Sequence, residues 1–200
     1  MITTVIFDYG NTLVRFRENE LAKSYTDSEE DAAAIERIFF DRFYWSRLDE
    51  GTLSHKDWIE DAAKKLPEHL RALLPVIAES WYYRLPEIGG MSELVRELHE
   101  KGVKLYLLSN ISNAFAERIH EFPLLSLFDG IVCSAVHKVT KPDEAIYRIL
   151  LDTYGITPDE TLFVDDREDN IRAAKALGIH GWLFDGDAAR LSRYLEDALS

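Results

Sequence analysis

The chain has 200 residues, 46% of them hydrophobic and 30% charged, enough to fill one core and too apolar for a disordered polypeptide. Acids outnumber bases by 36 to 23 and give a net charge of −13, which argues against nucleic acid or anionic membrane as a partner. The lone cysteine, Cys133, forms no intramolecular disulfide, no apolar run reaches membrane-spanning length, and Asp8 falls too early for a signal peptide. The expectation is a reduced, cytoplasmic protein acting as a monomer or homodimer.

In chain order, the first apolar run is Thr3–Phe7, and it ends on Asp8. Four more follow, at Val103–Leu108, Gly130–Cys133, Thr161–Val164 and Gly181–Phe184. Continuous apolar runs of this length suit strands buried on both faces, as in a parallel sheet. Between them lie helical patterns over Met91–Lys101, Ser112–His120, Asp143–Tyr154, Asp169–Leu177 and Asp187–Leu199. Gly102, Gly155 and Gly178 stand where left-handed helix caps belong. The alternation predicts an α/β doubly wound parallel sheet, whose ligands bind beyond the C-terminal strand ends. Residues 15–85 interrupt it with no convincing strand and with apolar residues at helical spacing in Ala32–Phe43, Trp58–Leu66 and Leu70–Trp81. This stretch is expected to be a small helical domain inserted after the first strand, over a core of residues 1–14 and 86–200.

The predicted strand ends bring charged and polar chemistry to one rim. Asp8 follows the first strand, Ser109 and Asn110 the second, Asp165 and Asp166 the fourth, and Lys141 comes a short loop after the third. Asp165 and Asp166 beside Asp8 would repel unless a cation sat among them. An oxygen-rich site with few ligands and room for water suits Mg²⁺.

Four segments, FDYGNTL (7–13), LLSN (107–110), KPDEAIY (141–147) and FVDDREDN (163–170), resemble in that order four motifs of the haloacid dehalogenase superfamily, which consists largely of phosphohydrolases. These are the nucleophile, serine, lysine and acidic metal motifs. The resemblance implies a Rossmann-like core, a helical cap at 15–85, and Mg²⁺-dependent phosphomonoester hydrolysis through an aspartyl-phosphate. Carried over by position, it implies Asp8 as nucleophile, with Asp8, the Gly10 carbonyl and Asp166 as metal ligands. Asp165 and Asn170 would orient metal-bound water or Lys141. Thr12, Ser109, the Asn110 amide and Lys141 would hold the phosphoryl oxygens of a small phosphorylated metabolite.

The departures from the pattern are informative. Most phosphatases of the superfamily carry a second aspartate two residues after the nucleophile, as acid to the leaving group and base to water. Here that position is Gly10, which transfers no proton, so either another group does so or the substrate needs less help. Asn11 follows where glycine is commoner, and this DxGN form resembles a branch that includes α-glucose-1-phosphate phosphatases. A sugar 1-phosphate, with its better leaving group, would tolerate a missing acid. The cap is expected to set specificity through Trp45 and, in the loop that follows it and turns at Gly51, Arg47, Asp49 and Glu50, with the aromatic series Phe39–Trp45 as cap core. Asp49, Glu50 and His55 are the substitutes for the missing acid. Two other functions compete: a metal-free 2-haloacid dehalogenase, which shares the aspartyl nucleophile, and a non-catalytic phosphate- or protein-binding module.

Overall fold

Residues 1–199 are described by a computed structural model, organised around a five-stranded parallel sheet. Its strands are β1 (Thr4–Phe7), β2 (Lys104–Ser109), β3 (Gly130–Cys133), β4 (Thr161–Asp165) and β5 (His180–Leu183), in the spatial order β3-β2-β1-β4-β5. Each apolar run of the sequence is a strand, displaced at either end by no more than one residue. The runs are continuous because alternate residues feed two cores. Val5, Phe7, Leu105, Leu107, Leu162 and Val164 pack on one face, and Ile6, Tyr106, Leu108, Val132 and Phe163 on the other.

Register and topology place the site. Phe7 lies opposite both Leu107 and Val164, so the three central strands end level and the residues that follow share one rim. The chain lays β2 and β3 on one flank of β1 and then crosses to put β4 on the other. The switch point of this doubly wound sheet therefore falls between β1 and β4, where the strand ends leave a crevice. Gly102, Gly155 and Gly178 all adopt left-handed φ at helix ends, as their positions suggest. Among the described residues no helix is long and apolar enough to cross a membrane.

Residues 15–85 form helices Glu18–Lys23, Glu29–Phe39, Arg42–Asp49, His55–Lys65 and Leu73–Ser80, with 3₁₀ turns at Glu68–Leu70 and Trp81–Arg84, and helix Met91–Glu100 then leads into β2. The single helix expected over Ala32–Phe43 is thus two. The Asp41 carboxylate starts a fresh helix by accepting a hydrogen bond from the Phe43 amide at 2.8 Å. Arg47 and Asp49 consequently stand on a helix and not in the expected loop. The helix expected from Leu70 begins at Leu73, which leaves Pro75 in a first turn where its missing N–H costs nothing.

This helical segment is joined to the sheet layer by two stretches bonded side by side. The Arg15 amide donates to the Pro86 carbonyl at 2.8 Å, and the Ile88 amide to the Leu13 carbonyl at 3.0 Å. One apolar cluster continues from the sheet into the helices and includes Phe7, Leu13, Phe39, Trp58 and Trp81. Trp58 is fully buried, its ring 3.9 Å from that of Phe39 and its Nε1 donating to the Phe39 carbonyl.

Candidate active site

Lys141 is the hub of the rim. Its side chain is 1% exposed, and its three ammonium hydrogens have three acceptors. They are the Leu108 carbonyl of β2 at 2.8 Å, Asp8 Oδ1 beyond β1 at 2.8 Å, and Asp165 Oδ2 of β4 at 2.7 Å. One cation thus ties the ends of the three central strands together. Its backbone is fixed as well, because the Asn110 side chain accepts from the Lys141 amide at 2.8 Å and donates to its carbonyl at 2.9 Å. Burial works against the ammonium, but Asp8 and Asp165 outweigh it and hold its pKa above the ordinary lysine value.

The acids around Lys141 differ in what they leave free. Both oxygens of the fully buried Asp165 are taken, by the Arg167 amide, the Asn170 side-chain amide and Lys141. Asp8 gives Oδ1 to Lys141 and is also bonded by the Ser109 hydroxyl. Burial pushes Asp8 up to about 6, against the pull of Lys141. Asp166 is half-buried, accepts from the Asn11 amide group, and is raised by burial and by the charge of Asp165.

Each of Asp8, Asp165 and Asp166 has a carboxylate oxygen within 4.8 Å of the others. Three carboxylates against one ammonium leave an excess of negative charge in a buried crevice, and the Asn170 Oδ1 acceptor beside them has no partner. A hard divalent cation with oxygen preference, such as Mg²⁺, fits this donor set. Asp8 and Asp166 are the carboxylates free to hold it. Asp165, saturated by three donors, is left to position Lys141.

The rim opens into a cleft of about 680 Å³. Asp8, Gly10, Asn11, Ser109, Asn110, Lys141, Asp166 and Asn170 line its floor, and Phe16, Phe40, Arg42, Trp45, Asp49 and Trp81 of the helical segment form its wall. Phe16, Trp45 and Trp81 pack edge to face or tilted, with ring centroids 4.9–6.0 Å apart, and give the wall a rigid aromatic side. The aromatic series is therefore both core and cleft surface, since Phe40 and Trp45 serve in each.

The structure brings most of the sequence-derived residues together and leaves four apart. Thr12 is fully buried with an unpaired hydroxyl and lies off the cleft wall. Arg47, whose guanidinium lies over the Phe43 ring, and Glu50 are likewise off the wall. His55 packs against Trp58 and is influenced by Glu79, Arg118 and Glu117, away from Asp8. The sequence reading did not pick out Arg42, Phe16 or Trp81. Arg42 and Trp81 fall within helical patterns and Phe16 precedes the first of them, and only the fold turns all three toward the rim. Nor did it foresee that Asn11 is structural, with left-handed φ of 54° and its Oδ1 accepting from the Phe16 amide. An asparagine tolerates that conformation where most side chains would not.

A sequence profile described as haloacid dehalogenase-like hydrolase matches residues 2–178. The sesquiterpene phosphatase astK of Aspergillus oryzae is 38% identical over 92 residues, 46% of this chain and 47% of that protein. The phosphorylated carbohydrates phosphatase of Thermotoga maritima is 27% identical over 128 residues, 64% of this chain and 56% of that protein. The chain thus spans about half the length of these curated relatives. Among solved structures, the HAD family enzyme bt-2542 of Bacteroides thetaiotaomicron, in complex with magnesium and inorganic phosphate, superposes with a TM-score of 0.70 at 22% identity. That match covers 96% of this chain and 99% of the other, a likeness of fold.

Proposed function

Because the chain belongs to the haloacid dehalogenase-like hydrolases, we propose that it is a Mg²⁺-dependent phosphomonoesterase acting on a small phosphorylated metabolite through a phosphorylated Asp8. The observation that carries this reading is the division of labour among the acids. Asp8 is held by Lys141 through Oδ1, Asp165 is consumed in positioning that lysine, and Asp166, bonded only by Asn11, stands beside them without a cationic partner. A dehalogenase attacking carbon has no use for the free acid, whereas a site for a cation and a phosphoryl group does. Phosphatases among the relatives support the same reading.

In this reading an oxygen of the Asp8 carboxylate attacks phosphorus, and Lys141 and Ser109 fix its orientation. Asp8, Asp166 and the Gly10 carbonyl would hold the cation. When bound, it supplies charge neutralisation for the phosphoryl oxygens. With its hydrogens all bonded to protein acceptors, Lys141 acts on the phosphoryl group through its charge, beyond the simple ligand role expected from the sequence. The aromatic wall of Phe16, Trp45 and Trp81 receives a leaving group with a flat apolar face, which a sugar ring or an aryl group presents. The test is a phosphate-release screen over sugar phosphates, nucleotides, prenyl phosphates and aryl phosphates, with and without Mg²⁺. Release that needs Mg²⁺ is the expected result. Halide release from 2-haloacids without metal would instead support the dehalogenase.

A further inference from the structure

The site as built lacks a proton carrier on its own strand ends, because Gly10 has no side chain and Lys141 gives all three hydrogens to protein atoms. Ser109 donates to Asp8. Of the three substitutes that the sequence offers, Glu50 and His55 lie off the cleft, and Asp49 lines it. Among the described residues, the Asp49 carboxyl makes no hydrogen bond or ion pair, so nothing in the fold occupies it.

What the fold does instead is fix the backbone that carries it. The Ser134 hydroxyl, just beyond β3, donates to the Asp49 carbonyl at 2.6 Å and accepts from the Ile111 amide at 2.9 Å. Two residues on, Gly51 has a φ of 64°, and a Cβ there would lie 2.3 Å from the Ala135 carbonyl oxygen. Only glycine permits so close an approach. The C-terminus of helix Arg42–Asp49 is thus pinned to the core rim at two points, one on each side of the Asp49–Gly51 turn. A surface loop would need neither.

We propose that Asp49 is the general acid and base of the reaction, supplying from the helical segment the proton-transfer group that Gly10 omits. The assignment rests on the phosphomonoesterase reading above. Burial, with the charge of Asp8 adding to it, holds the Asp49 carboxyl well above the ordinary aspartate range, the direction a general acid needs. In the first step Asp8 forms a bond to phosphorus and the bond from phosphorus to the leaving oxygen breaks. Its electron pair stays on that oxygen, which takes the Asp49 proton and departs as an alcohol. In the second step the Asp49 carboxylate takes a proton from water as the water oxygen bonds to phosphorus. The bond to Asp8 breaks with its pair returning to the Asp8 carboxylate, inorganic phosphate leaves, and Asp49 is again protonated.

The experiment compares wild-type protein, Asp49→Asn and Asp49→Glu in Mg²⁺ buffer on a series of aryl and alkyl phosphates graded by leaving-group pKa. For Asp49→Asn, kcat/KM on alkyl phosphates should fall by about 10²–10⁴-fold, the usual worth of general catalysis. On the most activated aryl phosphate it should fall far less. Rapid quench should show a burst of phenol in Asp49→Asn and none in wild type, because the phosphoenzyme then waits for a base. Asp49→Glu should recover part of the alkyl activity. Equal losses on every leaving group with no burst, or no loss at all, would overturn the assignment while leaving the phosphatase reading in place. Wild-type protein that releases phosphate from none of the series would overturn both. Circular dichroism and retained binding of inorganic phosphate identify a variant that has misfolded, and Asp49→Ser then takes the place of Asp49→Asn.

Discussion

Lys141 keeps two buried carboxylates from facing each other unpaired. Removing its charge by Lys141→Met strands Asp8 and Asp165, both buried. Breaking a buried pair from one side costs about 3–5 kcal/mol, so a fall of several degrees in Tm is expected, read by thermal denaturation in the presence of chelator. Added Mg²⁺ should return part of the loss by supplying another cation. The raised Asp8 gives a pH dependence whose sign follows directly. Burial favours its neutral form up to about pH 6, and a protonated carboxyl neither attacks phosphorus nor holds a cation. Phosphate release and Mg²⁺ affinity should both decline as pH falls through about 6, measured by a pH–rate profile and by calorimetric titration. Constant affinity from pH 7 to 5 would contradict the burial of Asp8. Gly10 offers a further residue-scale test, since a Cβ there meets nothing within 4 Å and its φ is not left-handed. In an Asp49→Asn background, Gly10→Asp should fold and raise the turnover of an alkyl phosphate at least tenfold, on the order of the lower end of general catalysis.

At the scale of elements, helix Arg42–Asp49 connects the aromatic wall to the rim. Its start depends on Asp41 and its end on the pinned turn. Asp41→Ala should lower stability by about 1 kcal/mol, the usual worth of an N-cap, checked by urea denaturation. Gly51→Ala should do more, adding the strain of a left-handed alanine to the clash with Ala135. Its expected signature is a loss of phosphatase activity larger than the loss of Tm explains, because the turn lifts from the rim. The sequence shows some of this and hides the rest. The five strands are legible because burial on both faces leaves unbroken apolar runs, and the motif acids are legible because they end those runs. The break at Asp41 is not, since the hydrophobic period runs on across it and only a local hydrogen bond divides the helix. The locks of Asn110 on Lys141 and of Ser134 on Asp49 join residues 31 and 85 positions apart, and no local pattern records them. Asp49 is visible as an acid in a cap, but its carboxyl acquires chemistry only where the helix meets the sheet.

For the whole molecule, the net charge of −13 repels phosphorylated compounds at long range, so binding must depend on cations inside the cleft. Arg42, Lys141 and Arg167 line it, and binding of inorganic phosphate should therefore weaken in Arg42→Gln. The shared apolar cluster also bears on how separable the parts are. Phe7 and Trp58 belong to one core, and excising the helices would expose the part of it that they bury. The organisation joins a sheet edge carrying Asp8, Lys141, Asp165 and Asp166 to helices that wall the cleft above it. The central claim is that Asp8 carries the phosphoryl group, and acid-quenched mass spectrometry during turnover tests it most directly. The account predicts one added phosphoryl mass on the peptide containing Asp8, present with Mg²⁺, and lost together with phosphate release in a folded Asp8→Asn protein. Phosphate release that persists in Asp8→Asn, with no adduct on that peptide in the wild type, would contradict it.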